Sequence, residues 1–315
     1  MAQLVCASFI LFASLHFHPL VASAQAYAGG DLDGQVVFGL PAQEIIAVTF
    51  DAVSNATFPI KGYNTSIPGG PTDGTGSQLP GWSIFIGVAA NVALAGSDDA
   101  SVDKGQFIET TGLFIEPPAA IPVNYDTNSW RICAVIFAHG LGSAETNTAQ
   151  TAQLDGSCTP LLPSECIEQL QVNSVASNSS TDDGCPDLDM PDVCAKHFSG
   201  ESGTAYEITP SNDTTAPADD HRLAFFAAAS VPTERDNDSA FASAERAVWP
   251  VLLTWTHRGA GGQAHDSAGW LSCIKAPNRI ETERVGSSGG AEAVKRVSKW
   301  ALLFGMGAAV LAFVA

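Results

Sequence analysis

The residues of this 315-residue chain that could do chemistry fall into a few groupings. Gly286-Ser287-Ser288-Gly289-Gly290 contains the Gly-x-Ser-x-Gly spacing of a hydrolase nucleophile elbow. An elbow aims its serine from a sharp strand-to-helix turn; here the flanks are a linker and a short charged spacer, so the spacing predicts no nucleophile. His139-Gly140-Leu141-Gly142-Ser143 has the His-Gly turn of esterase oxyanion holes, but without an elbow it reads as a Gly-rich turn after a strand. His257 and His265, with Asp266, flank the loop 258–264, and a flexible loop would fold both imidazoles onto one metal. Preorganised zinc ligands come from a helix or from adjacent strands, so these histidines read as surface residues and no metal is predicted. The acidic residues Asp182, Asp183, Asp187, Asp189 and Asp192 alternate as ligands of a hard cation would, yet the run lacks the Gly and terminal Glu of an EF-hand loop. A solvated acidic loop is the expectation. No cofactor and no catalytic residue is predicted, because the paired carboxylates of glycoside cleavage meet only in the fold. Trp82, Trp130, Trp249, Trp255 and Trp270 fall on predicted strands, where core packing is expected ahead of a sugar-stacking platform.

With Cys6 set aside in the expected leader, Cys133, Cys158, Cys166, Cys185, Cys194 and Cys273 form an even set with no Cys-x-x-Cys pair, which predicts disulfides rather than a thiolate metal site. Many connectivities are open; the shortest loops are Cys158 with Cys166 and Cys185 with Cys194, leaving Cys133 with Cys273. Sequons at Asn55, Asn64, Asn178, Asn212 and Asn237 predict N-glycosylated surface loops.

The two ends predict where these residues work. Residues 1–24 carry an apolar run and close on Ala22-Ser23-Ala24, the pattern of a secretory signal. At the other end, a lipid-attachment signal needs small residues, roughly 8–12 polar ones and an apolar tail of roughly 10–20. Ser288-Gly289-Gly290 supplies the site, with Ser288 as the attachment residue; 291–299 supplies the spacer and 301–315 the tail. A membrane span needs about 20 apolar residues, and no basic residue follows this tail as it would follow a type I anchor. A tail-anchored cytosolic protein would fit the charges and is opposed only by the N-terminus. Residues 289–315 are therefore expected to be removed as propeptide. The mature chain, 25–288, keeps 11 basic against 32 acidic residues, a net charge of −21. Such a chain repels nucleic acid and anionic head groups, so no nucleic-acid partner is expected; its predicted contact with membrane is through the lipid.

The elements that must hold all this read as short strands rich in Val, Ile and Phe, fenced by Gly, Pro, Asn and Asp. They are expected at 35–40, 44–51, 82–88, 107–109, 113–116, 130–138, 206–208, 223–228, 248–257 and 271–274. The 130–137 run is apolar on both faces after Arg131, as a strand between two layers would be. Pro250 lacks a ladder donor, so its strand is expected to be an edge or to start at Val251. Residues 62–80 read as a glycosylated loop. Residues 144–203 change character and read as a disulfide-stapled, loop-rich insertion with one short helix at 164–172, and 277–288 as a short linker. The predicted fold is a mainly β sandwich over 25–276.

Trp130-Arg131-Ile132-Cys133, Asp155-Gly156-Ser157-Cys158, Cys166-Ile167-Glu168-Gln169-Leu170, Val248-Trp249-Pro250-Val251 and Leu271-Ser272-Cys273-Ile274-Lys275-Ala276 together resemble a group of uncharacterised secreted and lipid-anchored ascomycete surface proteins. The resemblance spans about 35–276 and brings no catalytic residues. It implies a fungal cell-surface setting and pairing among these cysteines. The expected function is a non-catalytic surface or wall-associated module, with a carbohydrate-binding adhesin and a wall-remodelling glycosidase as alternatives; cell-wall polysaccharide is the expected partner.

Overall fold

The computed structural model describes residues 25–28, 32, 35–38, 40–50, 52, 54–66, 78–94, 105–119, 121, 127–137, 140–152, 154–180, 184–209, 222–258 and 264–277. The protein is mainly β, a sandwich of two five-stranded antiparallel sheets. The first sheet takes β1 (Gln25–Ala28), β4 (Ser54–Tyr63), β5 (Gln78–Ala93), β6 (Phe107–Glu116) and β10 (Leu223–Ala229), in the spatial order β1-β10-β6-β5-β4. The second takes β7 (Trp130–Ile136), β8 (Leu188–Asp189), β9 (Ser202–Ile208), β11 (Trp249–Arg258) and β12 (Ala264–Ile274), in the order β12-β11-β7-β9-β8. A two-residue hairpin, β2 (Val36–Val37) and β3 (Leu40–Pro41), leads into the first helix.

Alternation along the strands sends one set of side chains between the sheets. Ile84, Ile86, Leu113 and Ile115 of the first sheet meet Ile132, Ala134, Val251 and Leu253 of the second. Indoles lock the layers together: Trp82 and Trp255 pack edge-on with centroids 6.0 Å apart, and Phe226 and Trp249 at 5.0 Å. All seven residues of β7 are buried, so the strand lies between two layers as its apolar run requires.

The outer layers are helical. Helices α2 (Ser143–Thr151), α3 (Ser164–Ser180) and α4 (Asp192–Ala195) cover the second sheet, where Leu161, Leu162, Cys166 and Leu170 bury against Val135, Leu252 and Leu271. The loop-rich insertion expected over 144–203 is thus largely this helical layer, and the expected helix continues from 172 to Ser180. Helix α5 (Asp238–Arg246) packs on β5 and β6, capped by Asn237, whose Oδ1 accepts the N–H groups of Ser239 and Ala240.

Helix α1 (Ala42–Phe50) replaces the strand expected at 44–51. Of its buried residues, Ala42, Ile45, Val48, Thr49 and Phe50, the first four recur at three- and four-residue spacing, and that helical period outweighs the β-branched composition. The helix seats on Gly87 and Gly112, which face each other across β5 and β6. A Cβ on Gly87 would strike the Thr49 carbonyl oxygen, and one on Gly112 the Thr49 hydroxyl. Beyond the helix the Arg222 guanidinium lies 3.5 Å from the Phe50 ring centroid and 4.3 Å from that of Phe85.

Pro250 is also placed differently. Its strand is not an edge: β11 begins at Trp249 and pairs with β12 on one side and β7 on the other. The Pro250 oxygen accepts from Phe137 N at 3.5 Å, and the Phe137 oxygen, where a residue-250 N–H would have pointed, accepts instead from Gly140 N at 2.8 Å. The missing donor is tolerated because its acceptor is occupied.

The disulfides are Cys133–Cys185, Cys158–Cys273 and Cys166–Cys194. None of the short-loop pairs forms. Cys158 lies beside β12, where Ser157 bridges to Ser272 and Cys273 N donates to Gly156 O, whereas Cys166 faces inward from α3 toward α4. Two bonds fix the helical layer to the second sheet and the third fixes α3 to α4. Because Gly112 holds α1 to the sheet, Gly112→Ala is expected to lower stability by about 1–3 kcal/mol through overpacking, measured as a fall in the urea midpoint at unchanged m-value.

Candidate functional site

The most distinctive polar arrangement among the described residues is a corner where β5, β6 and the approach to α5 meet. β5 slips register between Ala89 and Val92, and Asn91 takes a left-handed backbone, φ 56°. Asparagine tolerates that conformation better than most residues. Its N–H donates to Glu109 Oε2 at 3.3 Å, its Nδ2 donates to Asp236 Oδ1 at 2.9 Å, and its Oδ1 accepts the Asp236 N–H at 2.7 Å. Asp236 is itself left-handed, φ 60°. The Glu109 backbone is fixed in turn by Ser230, whose Oγ accepts Glu109 N and whose N donates to Glu109 O.

Glu109 is 2% exposed. Burial pushes its carboxyl up from 4.5 to about 7; the Asn91 N–H pulls it down and the neighbouring Asp236 charge pushes it up further. A carboxyl titrating near neutrality beside a second carboxylate has the electrostatics of an acid–base pair. Its burial leaves it little surface for a substrate, and its hydrogen bonds hold the bulge and the segment leading into α5. Nothing in the sequence pattern singles it out: Glu109 sits in an apolar strand, and its partners lie 18 and 127 positions away or are reached only through the fold.

A second polar contact joins His197 Nδ1 to Glu145 Oε1 at 2.7 Å. It lies on the His139–Ser143 motif. Gly140 N donates to Phe137 O and Gly142 N to His197 O, while Ser199 N donates to Gly140 O. Of the glycine N–H groups that an oxyanion hole would present, that of Gly140 closes a turn on the end of β7 and that of Gly142 straps the segment to the residues after α4. His139 lies outside the described residues.

The other sequence candidates are dispersed. His257 is 2% exposed, edge-on to Trp130 at 5.1 Å, and so is a core residue rather than a surface one; loop 259–263 and the side chains of His265 and Asp266 lie outside the described residues. Among those described, no three His, Cys, Asp or Glu side chains gather as metal ligands. Of the acidic run, Asp187 Oδ1 accepts Ala205 N at 2.8 Å and Asp192 opens α4, while Asp182 and Asp183 are not described. Trp82, Trp130, Trp249 and Trp255 are all buried, and Trp270 is half-buried with Lys61 Nζ 4.8 Å from its ring centroid. A shallow groove between α3 and β12 is lined by Val172, Val175, Ala176 and Gly269. Residues 1–24, expected as a leader, Ser288, expected as the attachment residue, with its flanks, and Asn212 lie outside the described residues.

Four sequons remain. Asn55 is exposed on β4, Asn64 closes that strand, and Asn237 caps α5. Asn178 departs from the surface-loop expectation: it is 2% exposed on α3, Nδ2 donates to Ser174 O at 3.0 Å, and Oδ1 lies 3.0 Å from Cys133 Sγ in the Cys133–Cys185 bond.

No known protein family, curated protein or solved structure matches the chain.

Two outcomes follow from this geometry. Glu109 binds its proton more tightly in the folded chain than in the unfolded one, so its contribution to stability is complete below about pH 4.5 and is lost as pH rises through about 7. The span corresponds to roughly 3 kcal/mol at most, and Glu109→Gln should flatten that part of the stability–pH curve measured by urea denaturation. Glycopeptide mapping of the protein produced through a secretory pathway should find Asn178 unmodified, because a glycan there would have to occupy the contact between Asn178 and Cys133.

Proposed function

We propose that the chain is a lipid-anchored, N-glycosylated, non-catalytic module of the outer cell surface or cell wall, in keeping with its resemblance to ascomycete surface proteins. The observation that carries this reading is where the aromatic residues go: Trp82, Trp130, Trp249 and Trp255 fill the space between the sheets. The side chains that a sugar platform or a substrate cleft would expose are spent on packing. Three disulfides suit an oxidising, extracellular setting, and no helix among the described residues is long and apolar enough to cross a membrane. The small residues at 286–290 and the apolar run 301–315 supply the anchor signal, with attachment at Ser288.

One observation favours the glycosidase alternative, namely Glu109 beside Asp236, a carboxyl pair of the chemical type such enzymes use. Its burial and its engagement with Asn91 weigh against it. Treating intact cells with phosphatidylinositol-specific phospholipase C should release the protein with residues 301–315 absent from its mass; retention with the tail attached would refute the anchor. The released ectodomain, incubated with glucan, chitin and mannan, should leave the polysaccharide uncut. Retention without cleavage would support the adhesin, and released oligosaccharide the glycosidase.

A further inference from the structure

A sandwich of two open sheets has four outer edges; two of them are short, and a third, β12, is eleven residues long, packed under α3 and bridged at its far end. β1 has four residues and β8 two. β12 receives the Ser157–Ser272 bridge and the Cys273 N to Gly156 O hydrogen bond at its far end. The fourth, β4, is ten residues long, and among the described residues no strand pairs with its outer side. A long free edge is a template for pairing with another chain. Helix α1, which covers the first sheet, contacts β5, β6 and β10 rather than β4, so the outward residues Asn55, Thr57, Pro59 and Lys61 are all exposed.

Those residues are unusual for a strand. Pro59 removes a ladder donor and Lys61 adds a charge, both devices that blunt edges. The Lys61 side chain reaches round toward the second sheet, with Nζ 4.8 Å from the Trp270 ring centroid. Two of the sequons sit at the two ends of this strand. An extended backbone puts residues i and i+2 on one face, so Asn55 and Thr57 present a complete sequon outward. Asn55 Nδ2 donates one hydrogen to Ala52 O at 2.6 Å, and a glycosidic bond replaces the other. At the far end Asn64 Oδ1 accepts Ser66 N at 3.1 Å, an Asx turn that leaves Nδ2 as the attachment atom. The two are nine positions apart, about 30 Å of strand.

We infer that N-glycans on Asn55 and Asn64 shield β4 and prevent it from pairing with β4 of a second copy of this chain. The inference rests on the secretory reading above. β4 pairing with itself across a two-fold axis would continue the first sheet from one copy into the next, an isologous contact. Bulky hydrophilic groups at both ends obstruct that approach, where Pro59 and Lys61 interrupt only its middle.

The test uses the secreted full chain, with intact mass and light scattering after size exclusion at matched concentrations. Wild type and Asn237→Gln, which loses the glycan at α5, are expected to run as monomers, and Asn55→Gln/Asn64→Gln is expected to at least double in mean mass. Treating folded wild-type protein with an endoglycosidase that leaves one sugar per site should have the same effect, and this arm does not depend on the variant folding. A double variant or trimmed protein that stays monomeric over the same range would overturn the inference. So would intact masses showing Asn55 and Asn64 bare in monomeric wild type, and that result would locate the failure in the secretory glycoprotein reading rather than in the shield.

Discussion

The constraint on which the rest of the structure depends is that the second sheet buries both faces. Every residue of β7, and all but the last of β11, is withdrawn from solvent. One face meets the first sheet, and the other must be met by something else, since uncovered Val135, Leu252 and Leu271 would form an apolar patch. That requirement makes sense of the helical layer between β7 and β9 in sequence. It also accounts for where the disulfides go. The N-terminal part of α3 buries Cys166 and Leu170, but further along it turns Ser174 toward Gly269 and Asn178 toward Cys133 on the sheet, while Val172 is 65% exposed. Apolar burial alone holds that end of the helix weakly. Cys133–Cys185 closes a 52-residue separation just beyond the end of α3, and Cys158–Cys273 closes 115 residues ahead of its start. Both remove freedom from the unfolded chain, the first where packing contributes least and the second where Leu161, Leu162 and Leu170 already hold the helix.

The parts of this arrangement that were legible in the sequence are those decided by local period. The double-sided run from Trp130 and the Phe-rich strand at Leu223 declare themselves because their composition and burial agree. The helix at Ser164 was legible at its start, where Pro163 and Ser164 mark it, and not along its second half, where an inward Ser and Asn and outward Val give almost no amphipathic signal. α1 reads as a strand because Ile45, Ile46, Val48 and Thr49 have strand composition; only their spacing against the Gly87–Gly112 dent shows the helix. β4 gives no strand signal because Asn55, Pro59, Lys61 and Gly62 have loop composition, and they are what a sheet edge calls for.

Non-local facts were not legible at all. Disulfide partners depend on which elements stack, and α3 places Cys166 nearer to Cys194 than to Cys158 although the last is only eight positions away. Glu109 gives no sign of its role, because its environment is assembled from a bulge 18 residues earlier and a turn 127 later. Asn178 shows the reverse failure. Its sequon is complete as text, yet the fold buries it against a disulfide, so the same three-residue pattern marks a surface on β4 and an interior on α3.

The acidity of the chain bears on why its edge needs local protection. A net charge of −19 sets up a repulsive field between copies, but at physiological ionic strength such a field decays over about 8 Å. Strand pairing operates at about 4.8 Å between backbones, inside that distance, and its hydrogen bonds run between neutral peptide groups. Nor are the carboxylates placed to help: no acidic residue lies in β4, whose only charge is Lys61. Opposed across a two-fold axis, two copies of a single lysine repel weakly in water, by about 1 kcal/mol even at contact. General acidity therefore keeps molecules apart at long range and fails at the range where edges join, which leaves that work to side-chain bulk, to proline and, on the inference above, to glycans at the two ends of the strand.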